Sequence, residues 1–320
     1  SSPTSSTVSS TRGRDEPEKA MSEATWRGWL EAEIATSPRQ ATAQRVWLGW
    51  LGFCRNPLGM IGLAIIVALL LIAAFAPWIA PADPLQGSMI NRLKPIGTPG
   101  YPLGADELGR DMLSRLIWGG RLSLFMGVTP VVLAFFIGSA IGIFAGYAGG
   151  IANSAIMRTI DVFYAFPSAL LAVALSGALG AGFGNALISL TVVFVPPIAR
   201  IAESVTTQLR SRDFVEAARA SGAGALTIVR VHVLGNVLGP IFVYATSLIA
   251  VSMILASGLS FLGLGVKPPE PEWGLMLNTL RTAIYVQPWI AALPGVMIFI
   301  TSIAFNLLAD GLRSAMEIKQ

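Results

Sequence analysis

Cysteine and histidine are all but missing: Cys54 and His232 stand alone. A single cysteine cannot close an internal disulfide or build a cysteine-based metal cluster. A single histidine cannot by itself complete a metal site or a Ser-His-Asp triad. The reading for Cys54 is a small buried apolar residue. Lysine is nearly as scarce, and Lys19, Lys94, Lys267 and Lys319 are followed by Ala20, Pro95, Pro268 and Gln320. A phosphate-binding loop needs Gly-x4-Gly-Lys and then serine or threonine, so any nucleotide chemistry has to come from another polypeptide. "GLSFLG" has one residue too many for a nucleophile elbow, and "GAGALT" lacks the third glycine of a dinucleotide loop. No catalytic constellation remains. No apolar h-region lies in the first 30 residues, which argues against a cleavable signal peptide.

Charge is sparse too, at 12% of residues, while 53% are hydrophobic. That is the composition of a membrane protein. A hydrocarbon core about 30 Å thick needs roughly 20 apolar residues in helical form. Six runs meet or approach that length: 58–79, 122–145, 163–179, 186–199, 237–255 and 289–308. The fourth is short and carries Pro196-Pro197 near its end. The runs are continuous rather than alternating, so a β-barrel is excluded and the expected class is all-α. None of the six cores holds a carboxylate, which argues against a transporter driven by protons or sodium.

The expected organisation is a tail over 1–55 and a transmembrane domain over 56–320. "SSPTSSTVSSTRGRDEPEKA" is expected to be disordered. "ATWRGWLEAEIATS" and "RVWLGWLGF" look like short amphipathic helices. Their Trp26, Trp29, Leu30, Trp47 and Trp50 would either cover the base of the bundle or lie among lipid headgroups. With six spans and the N-terminus inside, the inner segments carry fifteen Lys and Arg and the outer ones seven. Both termini are therefore expected in the cytosol. The net charge of +4 reflects this bias, not nucleic-acid binding.

Two features of the spans and loops stand out. Ala134, Gly138, Gly142 and Gly146 recur every four residues, which is one narrow strip of small residues on a helix. Such strips let backbones approach closely in lipid, which favours packing within the subunit over a substrate-lining role, with pairing against a second subunit as the third reading. Gly149 and Gly150 mark the turn out of the membrane. "KPPEPEW" (267–273) is too proline-rich for a helix interior. With "PADPLQGSMINRLKPIGTPGYPLGADELGRD" it forms either a stiff loop or an outer docking face.

"DFVEAARASGAGALTIVRVHVLGN" (213–236) then falls in the cytosol. Asp213 and Glu216 resemble an N-cap pair, and Glu216 and Arg219 are neighbours three apart. Phe214, Ala217 and Ala218 give a small apolar patch. Ser221-Gly222 ends this helix, and Leu226, Val229 and Val233 recur at helical spacing on a second. Such a unit could read DNA, cover the bundle, or plug another protein's groove. The missing phosphate loop favours the plug.

"EAARASG" followed by "HVLGN" resembles the EAA motif of ABC importer permeases, in the form of the oligopeptide/dipeptide/nickel family. Gly235 stands where the family usually has proline. "NPLGMIGLAIIV" with "APWIAPADP", "YPLGADELGRDMLSRLIWGGRLSL" and "GLSFLGLGVKPPEPEWGLML" are similar to three further blocks of the C-type subunit, across about 55–316. The resemblance implies a six-helix type I importer permease in the bacterial plasma (inner) membrane. It would work with a second homologous permease, one or two ATPase subunits and an extracytoplasmic binding protein, carrying peptides or else nickel, glutathione, opines or oligosaccharides. ATP and Mg would be bound by the ATPases, with no cofactor or metal in this chain. Glu216, Ala217, Ala218, Arg219, Gly222 and His232 would belong to a coupling helix docked on an ATPase. A secondary transporter and a non-transporting membrane anchor are the competing classes.

Overall fold

In hydrocarbon every peptide N–H and C=O must be bonded within the chain, so uninterrupted apolar runs become helices. The computed structural model describes residues 29–30 and 37–317, and its regular structure is helical. It divides into two units, Ser1–Asn56 with Ser314–Gln320, and Pro57–Arg313. In the first unit α1 (Pro38–Cys54) is capped by Ser37, whose hydroxyl accepts from the Gln40 N–H. Trp29 and Trp50 are exposed. Cys54 is exposed too, contrary to the buried reading, because it ends α1 ahead of the first span. The readings for the serine-rich stretch and Trp26 lie outside the described residues.

The second unit carries α2 (Pro57–Ala74), α3 (Ala76–Ile79), α4 (Met112–Ala148), α5 (Gly150–Tyr164), α6 (Ser168–Leu179), α7 (Phe183–Arg210), α8 (Asp213–Ala220), α9 (Ala225–Ile228), α10 (Leu234–Phe261) and α11 (Trp273–Thr279). The last helix, α12 (Pro288–Glu317), begins in it. Among the described residues five helical rods are long and apolar enough to cross a membrane: α2, α4, α7, Ala225–Phe261, and α12. The third expected span is corrected. No continuous helix covers 163–179; α5 and α6 meet at an angle of 87°. Pro167 lacks an N–H and pushes Phe166 out of the helical region, so an unbroken apolar run still breaks. If the bent pair counts as one crossing, the total is six. The fourth span is longer than read: α7 runs through Pro196 and Pro197 to Arg210.

The strip of small residues on α4 lies against α7. A Cβ added at Gly138 would come within 3.0 Å of Ile198 Cβ, and one at Gly146 within 2.9 Å of Thr206 Cβ. One at Gly142 would meet the Ala199 carbonyl and Ala202 Cβ. The register advances in the same direction on both helices, so α4 and α7 run parallel at backbone contact. Ala134 is fully buried at the head of the strip. At its foot Gly149 and Gly150 take positive φ, and Arg210 Nη1 donates to the Tyr147 carbonyl at 3.2 Å.

Candidate functional site

The segment 213–236 is built around a helix of eight residues, far too short to hold itself together. Asp213 and Glu216 lie in the first turn of α8 and Arg219 in the last, which suits the helix dipole. The expected N-cap is not made. Arg212 occupies the cap position, Asp213 is already helical, and no side chain bonds there. Only Val215 is buried; it joins Ile228, Val233 and, on α7, Ile198 and Ala202 in one core. Glu216 and Ala217 are exposed, and Ala218 is half-buried. Glu216 makes no ion pair among the described residues. Arg219 instead lies over the Tyr147 ring of α4, 5.7 Å from its centroid.

The end of α8 is a two-bond glycine stop. The Gly222 N–H bonds to the Arg219 carbonyl at 2.9 Å and the Ala223 N–H to the Ala218 carbonyl at 3.1 Å. Gly222 has φ of 83°, the left-handed conformation this stop requires. An added Cβ there would meet nothing within 4 Å, so the backbone alone demands glycine.

The second helix of the segment is not a separate piece. It passes from α9 through one wide turn, Val229–Val233, into α10, where the Leu234 N–H reaches back to the Val229 carbonyl. The Asn236 side chain donates to the His232 carbonyl at 2.7 Å and braces this turn. His232 is half-buried, its ring 6.1 Å from that of exposed Phe214 on α8. So α8 lies two residues from the end of α7, contacts α4 through Arg219, and sits beside a turn that continues as a spanning helix.

The loops between α3 and α4 and between α10 and α11 contain what sequence reasoning missed. The Asp106 carboxylate accepts from Arg110 Nε at 2.7 Å and pairs with Arg115 Nε at 3.3 Å, with all three side chains buried. Arg115 also donates to the Pro84 carbonyl at 2.9 Å. In the "KPPEPEW" loop Glu272 and Trp273 are buried, which removes both from any docking face. Glu272 caps α11, accepting from the Gly274 and Leu275 N–H groups and from Ser123 of α4. Asp83 and exposed Glu270 instead line an open cavity of about 550 Å³ beside Trp118.

Burial pushes the Glu272 carboxyl up, against hydrogen bonds that favour its charged form. A raised folded-state value means the folded protein holds this proton where the unfolded chain has lost it. The group's stabilising contribution is then full at low pH and is lost as pH rises through the folded value. We expect thermal stability in detergent to fall on raising the pH from the ordinary carboxylate range towards neutrality, and Glu272→Gln to flatten that part of the profile. An unchanged profile would show that Glu272 titrates alike in both states.

Comparison with known proteins adds the following. Residues 138–318 match the family described as binding-protein-dependent transport system inner membrane component. Residues 45–95 match the N-terminal TM domain of oligopeptide transport permease C. The chain is 41% identical over 272 residues to the di/tripeptide transport system permease protein DppC of Pseudomonas aeruginosa, covering 83% of this chain and 90% of that one. It is 38% identical over 267 residues to the glutathione transport system permease protein GsiD of Pectobacterium atrosepticum, covering 83% and 89%. A chain of the MetNI methionine ABC transporter in an inward-facing conformation superposes with a TM-score of 0.52 at 21% identity, over 65% of this chain and 98% of that one.

Proposed function

The chain belongs to the family of inner-membrane components of binding-protein-dependent transport systems, in its oligopeptide permease C branch, and on that premise we propose that it forms half of a path for short peptides. A second, homologous permease supplies the other half. An extracytoplasmic binding protein delivers the solute to the outer face, where the cavity beside Trp118 presents Asp83 and Glu270. One or two ATPase subunits bind ATP and Mg on the inner face, and both termini of this chain lie on that side. Peptides are favoured because a relative at 41% identity is named for di- and tripeptides. Glutathione, itself peptide-like, is the alternative that the GsiD relative raises.

The observation that carries the reading is α8. It exposes nearly everything but Val215 yet is joined to two spanning helices. A helix with so little of its own surface buried gains little by folding there unless another protein covers it. Glu216, Ala217, Ala218, Arg219, Gly222 and His232 then form the joint. The small residues allow close approach, and Glu216 offers an unpaired carboxylate to a basic groove.

Copurification and topology test this together. An ATPase and a loaded binding protein should be retained by the tagged chain. With Cys54→Ser as background, single cysteines at Ser88 and Glu270 should react with an impermeant thiol reagent in intact cells, and one at Ser221 should not. Labelling of the Ser221 position alone would invert the orientation and defeat the proposal.

A further inference from the structure

The corner between α5 and α6 is the feature that lipid cannot tolerate. Its depth follows from helix lengths. The outer ends of α7 and α10 are level, because the Gly182 N–H bonds to the Leu264 carbonyl, and the end of α6 joins them, because the Asn185 side chain of α7 donates to the Leu179 carbonyl at 2.9 Å. At 1.5 Å per residue, the twelve residues of α6 put Pro167 about 18 Å below that level. Pro196 on α7 and Leu248 on α10 both fall about 20 Å below it. In a hydrocarbon core of about 30 Å the corner therefore lies well inside.

At that depth backbone groups are left without their regular helical partners. No side chain caps the start of α6, so its first N–H groups point into the break. Across the gap, Pro196 and Pro197 bring no N–H to the carbonyls of Val192 and Val193. Every residue from 161 to 170 is exposed, so the described residues leave the corner open. An ion pair between Asp161 of α5 and Arg200 of α7 sits beside it, each side chain nearly half exposed. Broken backbone and exposed charge persist at membrane depth only where they meet water or protein. A cavity of about 270 Å³ opens at this place, walled by Phe163, Tyr164, Phe166, Pro196 and Tyr244.

We infer that the α5–α6 corner, with Tyr164, Phe166 and Tyr244, lines the water-filled path and is the place where the moving solute touches this subunit. The inference rests on the permease reading and adds to it the residues of contact. Rings give apolar surface to a peptide side chain, while the tyrosine hydroxyls, the α6 N–H groups and the proline-freed carbonyls offer a peptide backbone alternating donors and acceptors.

The test is thiol accessibility in the complete complex, in a Cys54→Ser background with reagent on both sides. Phe166→Cys should react with a small charged thiosulfonate about ten-fold or more faster than Val67→Cys, a half-exposed position on unbroken α2, because thiolate chemistry needs water. Reaction at the corner should also block dialanine uptake while hydrolysis stimulated by the loaded binding protein persists. Equally slow reaction at both sites would place the corner in lipid or a dry helix interface and overturn the inference. So would a disulfide to the second permease without labelling, or full labelling with uptake intact. Ser168→Cys, a near-isosteric change at the same corner, serves if Phe166→Cys does not assemble. A complex that shows neither stimulated hydrolysis nor uptake before modification counts against the permease reading, and the labelling contrast still decides this one.

Discussion

Gly142→Leu leaves no assembled complex. At this position α4 and α7 touch through backbone: an added Cβ would sit 2.6 Å from Ala202 Cβ and 2.8 Å from the Glu203 nitrogen, and would run into the Ala199 carbonyl. None of these is the yielding end of a flexible side chain. The helices must separate, and Gly138 and Gly146 lose their contacts with the same partner. Overpacking a core typically costs about 1–3 kcal/mol, and a rigid backbone neighbour puts this case at the upper end or beyond. Val132→Leu on the same helix enlarges an exposed side chain and should change stability by less than about 0.5 kcal/mol. Yield and thermal stability of the detergent-extracted protein check both. Unchanged yield and stability in Gly142→Leu would mean that α4 and α7 do not meet along this strip.

Glu216→Lys should abolish transport with the chain still inserted. Glu216 is exposed and makes no ion pair among the described residues, so nothing inside the chain collapses when its sign is reversed. The loss to α8 itself is a dipole term of about 0.3–1 kcal/mol. At a joint with a basic groove, the same change sets like charges together. Gly222→Val attacks the joint from its other end. A β-branched residue at φ of 83° is strained by about 1–2 kcal/mol although space is free around it. The stop then shifts, and with it the direction of the chain into α9. Both variants should reach the membrane at normal levels. Each should either lose the ATPase on purification or hydrolyse ATP without answering to the loaded binding protein. Normal stimulation and normal uptake in both would reduce α8 to a cytosolic cover.

What the residues made legible follows from how each feature is encoded. The existence of the spans is written in hydrophobic continuity, so it was readable. Their lengths were not: α4 begins at Met112 rather than near 122, because Arg115 and Arg121 can extend the helix once Asp106 and the Trp118 ring receive them. Hydropathy also carries no backbone angle. The run over 163–179 is apolar throughout, and its break is written in Pro167 alone, while two adjacent prolines at 196 and 197 do not stop α7. The spacing of four along α4 was plain, but the identity of its partner helix needed the fold. The segment 213–236 was recognisable as a motif, and Gly222 as its stop. The wide turn at Val229–Val233 was hidden, since it contains neither glycine nor proline. Glu272 was beyond reach, because its partner Ser123 is 149 residues away.

The most direct measurement is solute uptake by proteoliposomes holding this chain, its second permease and the ATPase, with ATP inside and dialanine-loaded binding protein outside. The account predicts accumulation that needs ATP, the ATPase and the binding protein together, and that a proton or sodium gradient alone cannot drive. Accumulation driven by an ion gradient with the ATPase omitted would contradict it.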